Sequence, residues 1–283
     1  MKKIIEFLLK IKATKVMIAI VSSIIQGVSP SLWKKIETHF YNPYDFDERN
    51  IEYSKGIFTR VADFCKKYDF PIDEKDFLEL GPGGFLGTGA FLKKAGAASY
   101  SVVDSVNHFE KLDAKTIGYY QTIDPSFLNR DTFNDTFVHI LKYNEQGIQC
   151  TNESIDVVFS NAVYEHVSNP AESIQDLARI TRKGGIGIHQ IDYRDHIFDQ
   201  KSLFFLTVPK FLFDLLFKNC GGWTNLKRHS FFREAFIKNG FEILEEIPQS
   251  EYSREHIAKY REKLSLSLED LSTSSGCFVV RKK

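Results

Sequence analysis

Two acidic side chains bracket a run of glycines. Glu79 sits in the apolar run Phe77-Leu78-Glu79-Leu80, the chain turns through Gly81, Gly83 and Gly84, and Asp104 closes a second apolar run, Tyr100-Ser101-Val102-Val103. A strand, a glycine turn, a helical stretch and an acid-tipped second strand make half of a nucleotide-binding site. A carboxylate aimed into that crevice repels a pyrophosphate and suits a cation or an amino group. Two polar clusters lie farther on, Ser160-Asn161-Ala162 with Glu165 and His166, and His189-Gln-Ile-Asp192-Tyr-Arg-Asp-His196. An imidazole titrates in the range useful for taking a hydroxyl proton, so His166 is the first candidate base, with Asp192 and His196 beside it as further proton acceptors. The bland alternatives are that His166 merely bonds a backbone carbonyl, that Asp195 caps the next segment and that Arg194 pairs with Asp192. A dedicated metal site is not expected.

The elements that must position these residues alternate. Apolar runs predict strands at 76–80, 99–104, 137–141, 155–160 and 186–191. Helical patterns fall at 51–68, about 85–95 and about 171–181, with Gly184-Gly185 read as a helix stop. This alternation predicts an α/β fold, a Rossmann-like, doubly wound, mostly parallel sheet with helices on both faces. A helix at 229–240 and a closing antiparallel pair, 241–247 and 276–280, would complete seven strands with an antiparallel last strand. Residues 197–228 are crowded with Phe, Leu and Trp and read as a helical cap insertion over the crevice. At its end, Trp223 and Arg228 offer a ring face and a cation to a sugar or phosphate, or anchor the cap. Tyr193 and Arg194 would hold a polar acceptor.

The 283 residues carry 37 basic and 37 acidic side chains, without the basic excess a nucleic-acid binder needs, so no nucleic acid is expected as partner. Four scattered cysteines with no CxxC pair fit a reducing, cytoplasmic compartment. Residues 1–50 are read as a helical N-terminal extension and 51–283 as the catalytic domain. Apolar residues and lysines mix in the first 28 positions. They predict a helix that packs on the domain, or one that makes peripheral contact with a membrane surface.

The motif Glu79-Leu-Gly81-Pro-Gly83, the second-strand acid Asp104, the stretch from Ile155 to Val167 and Ala178-Arg-Ile-Thr-Arg-Lys-Gly184-Gly185 resemble, in order and spacing, the class I S-adenosylmethionine (SAM)-dependent methyltransferases of the type 11 kind. The resemblance covers residues 76–192. The third glycine of the family falls at Phe85, a departure. The resemblance implies SAM as cofactor, held by Glu79, Gly81, Gly83, Asp104 and Ser105, with Asp104 accepting from both ribose hydroxyls. It places Asn144 at the position of the adenine-binding acid, with Glu145 following, and Asn161 in the same shell.

The expected reaction is transfer of a methyl group to a hydroxyl acceptor, a glycan or polysaccharide precursor. A lipid, a quinone or another small apolar metabolite is the alternative acceptor, and a non-catalytic SAM-binding protein is the rival outside enzymes. The sequence leaves the oligomeric state open.

Overall fold

The computed structural model describes residues 12–40, 46–104, 112–145 and 147–283. Seven strands form the main sheet: β1 Asp76–Leu80, β2 Ser99–Val103, β3 Val138–Ile140, β4 Ile155–Asn161, β5 Thr181–Asp192, β6 Phe241–Gln249 and β7 Ser275–Lys282. Their order across the sheet is β6-β7-β5-β4-β1-β2-β3. All neighbouring pairs are parallel except those of β7, which runs antiparallel to both β5 and β6. This is the expected doubly wound sheet with an antiparallel last strand.

The helices are α1 Lys12–Val28, α2 Pro30–Phe40, α3 Glu48–Lys67, α4 Gly87–Lys94, α5 Ala114–Ile123, α6 Pro170–Ile180, α7 Lys210–Phe217, α8 His229–Lys238, α9 Arg254–Arg261 and α10 Leu268–Ser272. Alternation along β1 divides the core. Phe77 faces one layer with Val61, Leu92 and Tyr120 of α3, α4 and α5, while Leu78 and Leu80 face the other with Leu177 of α6 and Phe236 of α8. The N-terminus of α3 is closed by a reciprocal capping box between Asp47 and Asn50. That cap fixes where the helix starts, and so where its face crosses the mouth of the crevice.

Two local expectations change. Gly184-Gly185 do not stop a helix. α6 ends at Ile180, and the chain passes directly into β5. Register jumps from Ile155 opposite Thr181 to Val157 opposite Ile186, so the glycines lie in a bulge. A Cβ on Gly185 would stand 2.8 Å from the Asp156 carbonyl oxygen, which accounts for glycine there. The cap is also less regular than expected: one 3₁₀ turn, Phe204–Thr207, and the short α7 are its helical parts up to residue 228.

The cap has its own core. Ile197, Leu203, Phe205, Phe213, Phe217 and Trp223 pack with Tyr252, Ile257 and Tyr260, and Val16, Ala19 and Ile20 of α1 close one side. The N-terminal extension is therefore joined to the cap, and the Asn219 backbone N–H donates to Ser23 Oγ of α1 at 3.3 Å. Among the described residues, no helix is long and apolar enough to cross a membrane.

Candidate functional site

The carboxyl ends of β1, β2, β4 and β5 meet where strand order reverses between β1 and β4, the usual place for a ligand crevice in such sheets. Gly81 begins the turn after β1 with φ +67°. A side chain there would be strained, and its Cβ would lie 2.5 Å from Val163 Cγ2. The glycine turn and the loop after β4 thus touch directly. That loop is itself tight, with Ala162 at φ +54°.

Phe85 stands where the family has its third glycine, and it is buried with its ring stacked on Tyr120 at 4.8 Å and near Phe46 at 5.3 Å. Gly89 takes over the task of close helix–strand approach. A Cβ there would come within 2.3 Å of the Tyr100 ring. The hydroxyl of that ring donates a hydrogen bond to Glu79. Glu79 is buried at 3% exposure, and burial pushes its carboxyl up to about 7, against the Tyr100 bond and with help from the charge on Asp104. Asp104 Oδ2 accepts from the Gly83 N–H at 3.2 Å, and a Cβ on Gly83 would stand in open space.

These features fit the cofactor. The open space at Gly83 lies beside the Asp104 carboxylate, whose two acceptor oxygens match a pair of ribose hydroxyls, while Glu79 stands buried at the end of β1 with Tyr100 bonded to it. Ser105 lies outside the described residues. Asn161 ends β4 and is held from α3: Arg60 Nη1 donates to its Oδ1 at 2.6 Å, and its Nδ2 donates to the Tyr53 hydroxyl at 2.6 Å. Tyr53 and Arg60 do not stand out in the sequence, because helical periodicity there shows only the buried face. Asn144 and Glu145, expected at the adenine, stand exposed on a small ribbon past the end of β3, with Gln149 Nε2 donating to Asn144 Oδ1 at 3.0 Å.

The second half of the site lies between the sheet and the cap. His166 Nδ1 is 2.7 Å from the Trp223 carbonyl oxygen, so Nδ1 carries the proton and Nε2 is left as an acceptor. Burial lowers the pKa of His166, more than the Trp223 bond raises it. The His196 ring lies 5.1 Å from that of His166, and its Nε2 is 3.5 Å from Asp192 Oδ2. The three expected catalytic residues are thus brought together, but Asp192 is a poor base. Burial raises its pKa, yet bonds from His196 and from the Arg194 side chain and N–H outweigh it and hold the carboxylate well below its ordinary range. Asp192 orients its neighbours. Asp195 likewise caps its loop, accepting from Ile197, Phe198 and Asp199 N–H groups.

Three expected substrate contacts are occupied inside the protein. Arg228 is buried and donates to the carbonyls of Tyr193, Asp270 and Thr273. Tyr193 is buried against His229, its hydroxyl 3.2 Å from Nδ1. Trp223 is 6% exposed, and its Nε1 donates to Asp214 at 2.9 Å. The cause is common to all three: the 223–229 segment ties the cap to the domain. Asn225 reinforces the tie by donating through Nδ2 to the carbonyls of Tyr164 and Val167. Arg194, exposed enough to reach Glu251 at 3.4 Å, is already paired with Asp192.

Glu165 was grouped with His166 in the sequence without a task. Its carboxylate is buried without a well-formed hydrogen bond, and burial pushes it up to about 7, against the pull of the nearby Glu165 and Asp192 backbone N–H groups. It stands beside His196 and Asp192, whose charges act on it in opposite directions.

A family profile described as a methyltransferase domain matches residues 46–246. Among solved structures, the chain is similar to a protein of Galdieria sulphuraria assigned as a sarcosine dimethylglycine methyltransferase, at 15% identity and TM-score 0.54, over 88% of this chain and 96% of that one. It is similar also to phosphoethanolamine N-methyltransferase 2 of Haemonchus contortus, solved with SAM, at 15% identity and TM-score 0.51, over 79% of this chain and 52% of that one. At such identity the likeness speaks for the fold. No curated protein matches the chain in sequence. With the profile spanning most of the chain and a glycine turn bonded to the second-strand acid Asp104 behind it, the protein belongs to the methyltransferase domain family and is a SAM-dependent methyltransferase.

Proposed function

We propose that the chain methylates a hydroxyl of an amphipathic acceptor, of the lipid-linked glycan or surface-polysaccharide precursor class, on the cytoplasmic side. The observation that carries this reading is the His166 tautomer. With Nδ1–H committed to Trp223, Nε2 is directed to accept a proton, which a hydroxyl nucleophile must lose and a thioether or tertiary amine need not. Glu79, Gly81, Gly83 and Asp104 would hold SAM, which when bound supplies a methyl already activated by its sulfonium. The chain's residues then position the acceptor oxygen in line, exclude water through the cap, and receive the proton at His166 Nε2 as the oxygen–carbon bond forms and the carbon–sulfur bond breaks.

A free nucleotide sugar has lost its main support, because Trp223, Tyr193 and Arg228 are committed within the protein. What lies open beside His196 is a crevice of about 520 Å³ lined by Lys15, Ile18, Ala19 and Ser22 of α1 and by Ile197 and the 220–222 turn. Those walls favour an acceptor with an apolar part, which keeps a lipid or quinone hydroxyl as the second reading.

Incubation with SAM and separate panels of nucleotide sugars, lipid-linked sugars and prenylated phenols, read as S-adenosylhomocysteine release, tests this. Turnover confined to amine acceptors, or none with any hydroxyl while SAM still binds, overturns the hydroxyl reading.

A further inference from the structure

α1 is apolar around most of its circumference. Val16, Ala19 and Ile20 face the cap core, yet Met17, Val21, Ile24 and Val28, spaced along the opposite face, are 64%, 51%, 55% and 82% exposed. A helix hydrophobic on all sides is normally buried on all sides. Its neighbour α7 repeats the pattern. Phe213 and Phe217 point into the cap, while Phe211 and Leu215 are each 74% exposed. Two helices packed against one another thus both leave large apolar side chains uncovered, and among the described residues the exposed hydrophobics outside α1, α2 and α7 are scattered.

Charge says what covers them. Residues 1–40, through the end of α2, hold seven lysines and two glutamates, a net charge of +5, in a chain whose total is zero. The rest therefore carries −5. α1 contains no acidic residue, and Lys15 on it is exposed, as are Lys35 on α2 and Lys218 just past α7, while Lys210 at the start of α7 is exposed and paired with Asp214. An apolar stripe framed by lysines, on a body of opposite sign, matches an anionic lipid surface, where each lysine near the headgroups adds attraction and the stripe enters the acyl boundary.

The same helix also walls the candidate acceptor crevice. Lys15, Ile18, Ala19 and Ser22 face His196 and the 220–222 turn across it. A surface on which α1 rests therefore adjoins the entrance to the His196–His166 cluster. We infer that the α1–α7 face docks on an anionic lipid bilayer and that the acceptor reaches His196 from that surface through the crevice between α1 and the 220–222 turn. This deepens the acceptor reading above, but its test does not depend on turnover.

The full chain would be floated with vesicles of phosphatidylcholine alone and of phosphatidylcholine with one quarter phosphatidylglycerol, at low and high salt. The expected result is flotation with the anionic vesicles, weakened by salt, and little with the neutral ones. The double variant Val21→Glu, Ile24→Glu, on the outer face, should bind anionic vesicles at least about tenfold less well while its thermal midpoint and SAM affinity stay those of the parent. No flotation with anionic vesicles, or equal flotation of the double variant, overturns the proposal. So does a parent dimer, seen by light scattering, that the same substitutions dissolve, since the stripe is then covered by a second copy. If the docking fails while S-adenosylhomocysteine still forms from a hydroxyl acceptor, the reaction stands without the surface.

Discussion

The Trp223 carbonyl oxygen fixes His166: at 2.7 Å from Nδ1, it ties the imidazole of the loop after β4 to the backbone of the cap. The proposed base and the cap are consequently one mechanical unit. Moving the cap moves the His166 imidazole.

His166→Ala should lower kcat by roughly 10²–10⁴-fold on a hydroxyl acceptor and leave SAM affinity within about twofold. Calorimetry with SAM and single-turnover formation of S-adenosylhomocysteine separate the two. If cofactor affinity collapses instead, His166 belongs to the SAM site.

SAM affinity should rise with pH up to about 7, where burial has pushed Glu79. The protonated carboxyl offers no charge to the cofactor's cation, so binding must release a proton below that pH. Calorimetric titration in two buffers of different ionisation enthalpy counts the proton. Affinity that is flat between about pH 5 and 8 refutes the link.

Glu165→Gln should stabilise the protein at pH 8 and do little at pH 5. A carboxyl raised to about 7 by burial holds its proton more tightly folded than unfolded. Its contribution is therefore favourable below the ordinary carboxyl range and is lost as pH rises through about 7. Removing the ionisable group should recover on the order of 3 kcal/mol at pH 8, seen in urea melts at the two pH values. Equal effects at both would show that packing, not charge, governs the site.

Arg228→Ala should cost about 3 kcal/mol or more, because carbonyls of Tyr193, Asp270 and Thr273 lose a buried donor. Chemical denaturation measures the loss. A substrate-binding role would instead leave stability alone and raise KM.

Much of the sheet could be read from the chain because runs such as Phe77–Leu80 and Ile155–Phe159 are apolar enough to admit no other use. The glycine motif was equally legible, since backbone conformation at Gly81 leaves few residue types. What sequence cannot show is whether a polar side chain is already satisfied. Asp192 and Arg194 look like free chemistry in a row of letters, and in space they hold each other. Arg228 looks like a phosphate ligand until its three carbonyl partners, two of them more than forty positions away, come into view. Gly184-Gly185 misled for a related reason. A glycine pair ends a helix or makes a bulge with the same ease, and only the partner strand decides.

β7 is the final strand in the chain and yet lies inside the sheet, between β5 and β6. The ladder that holds β6 to the rest of the sheet therefore runs wholly through β7. Until β7 inserts, β6 and α8 can form only a loose flap, and that edge closes as one of the last long-range events of folding.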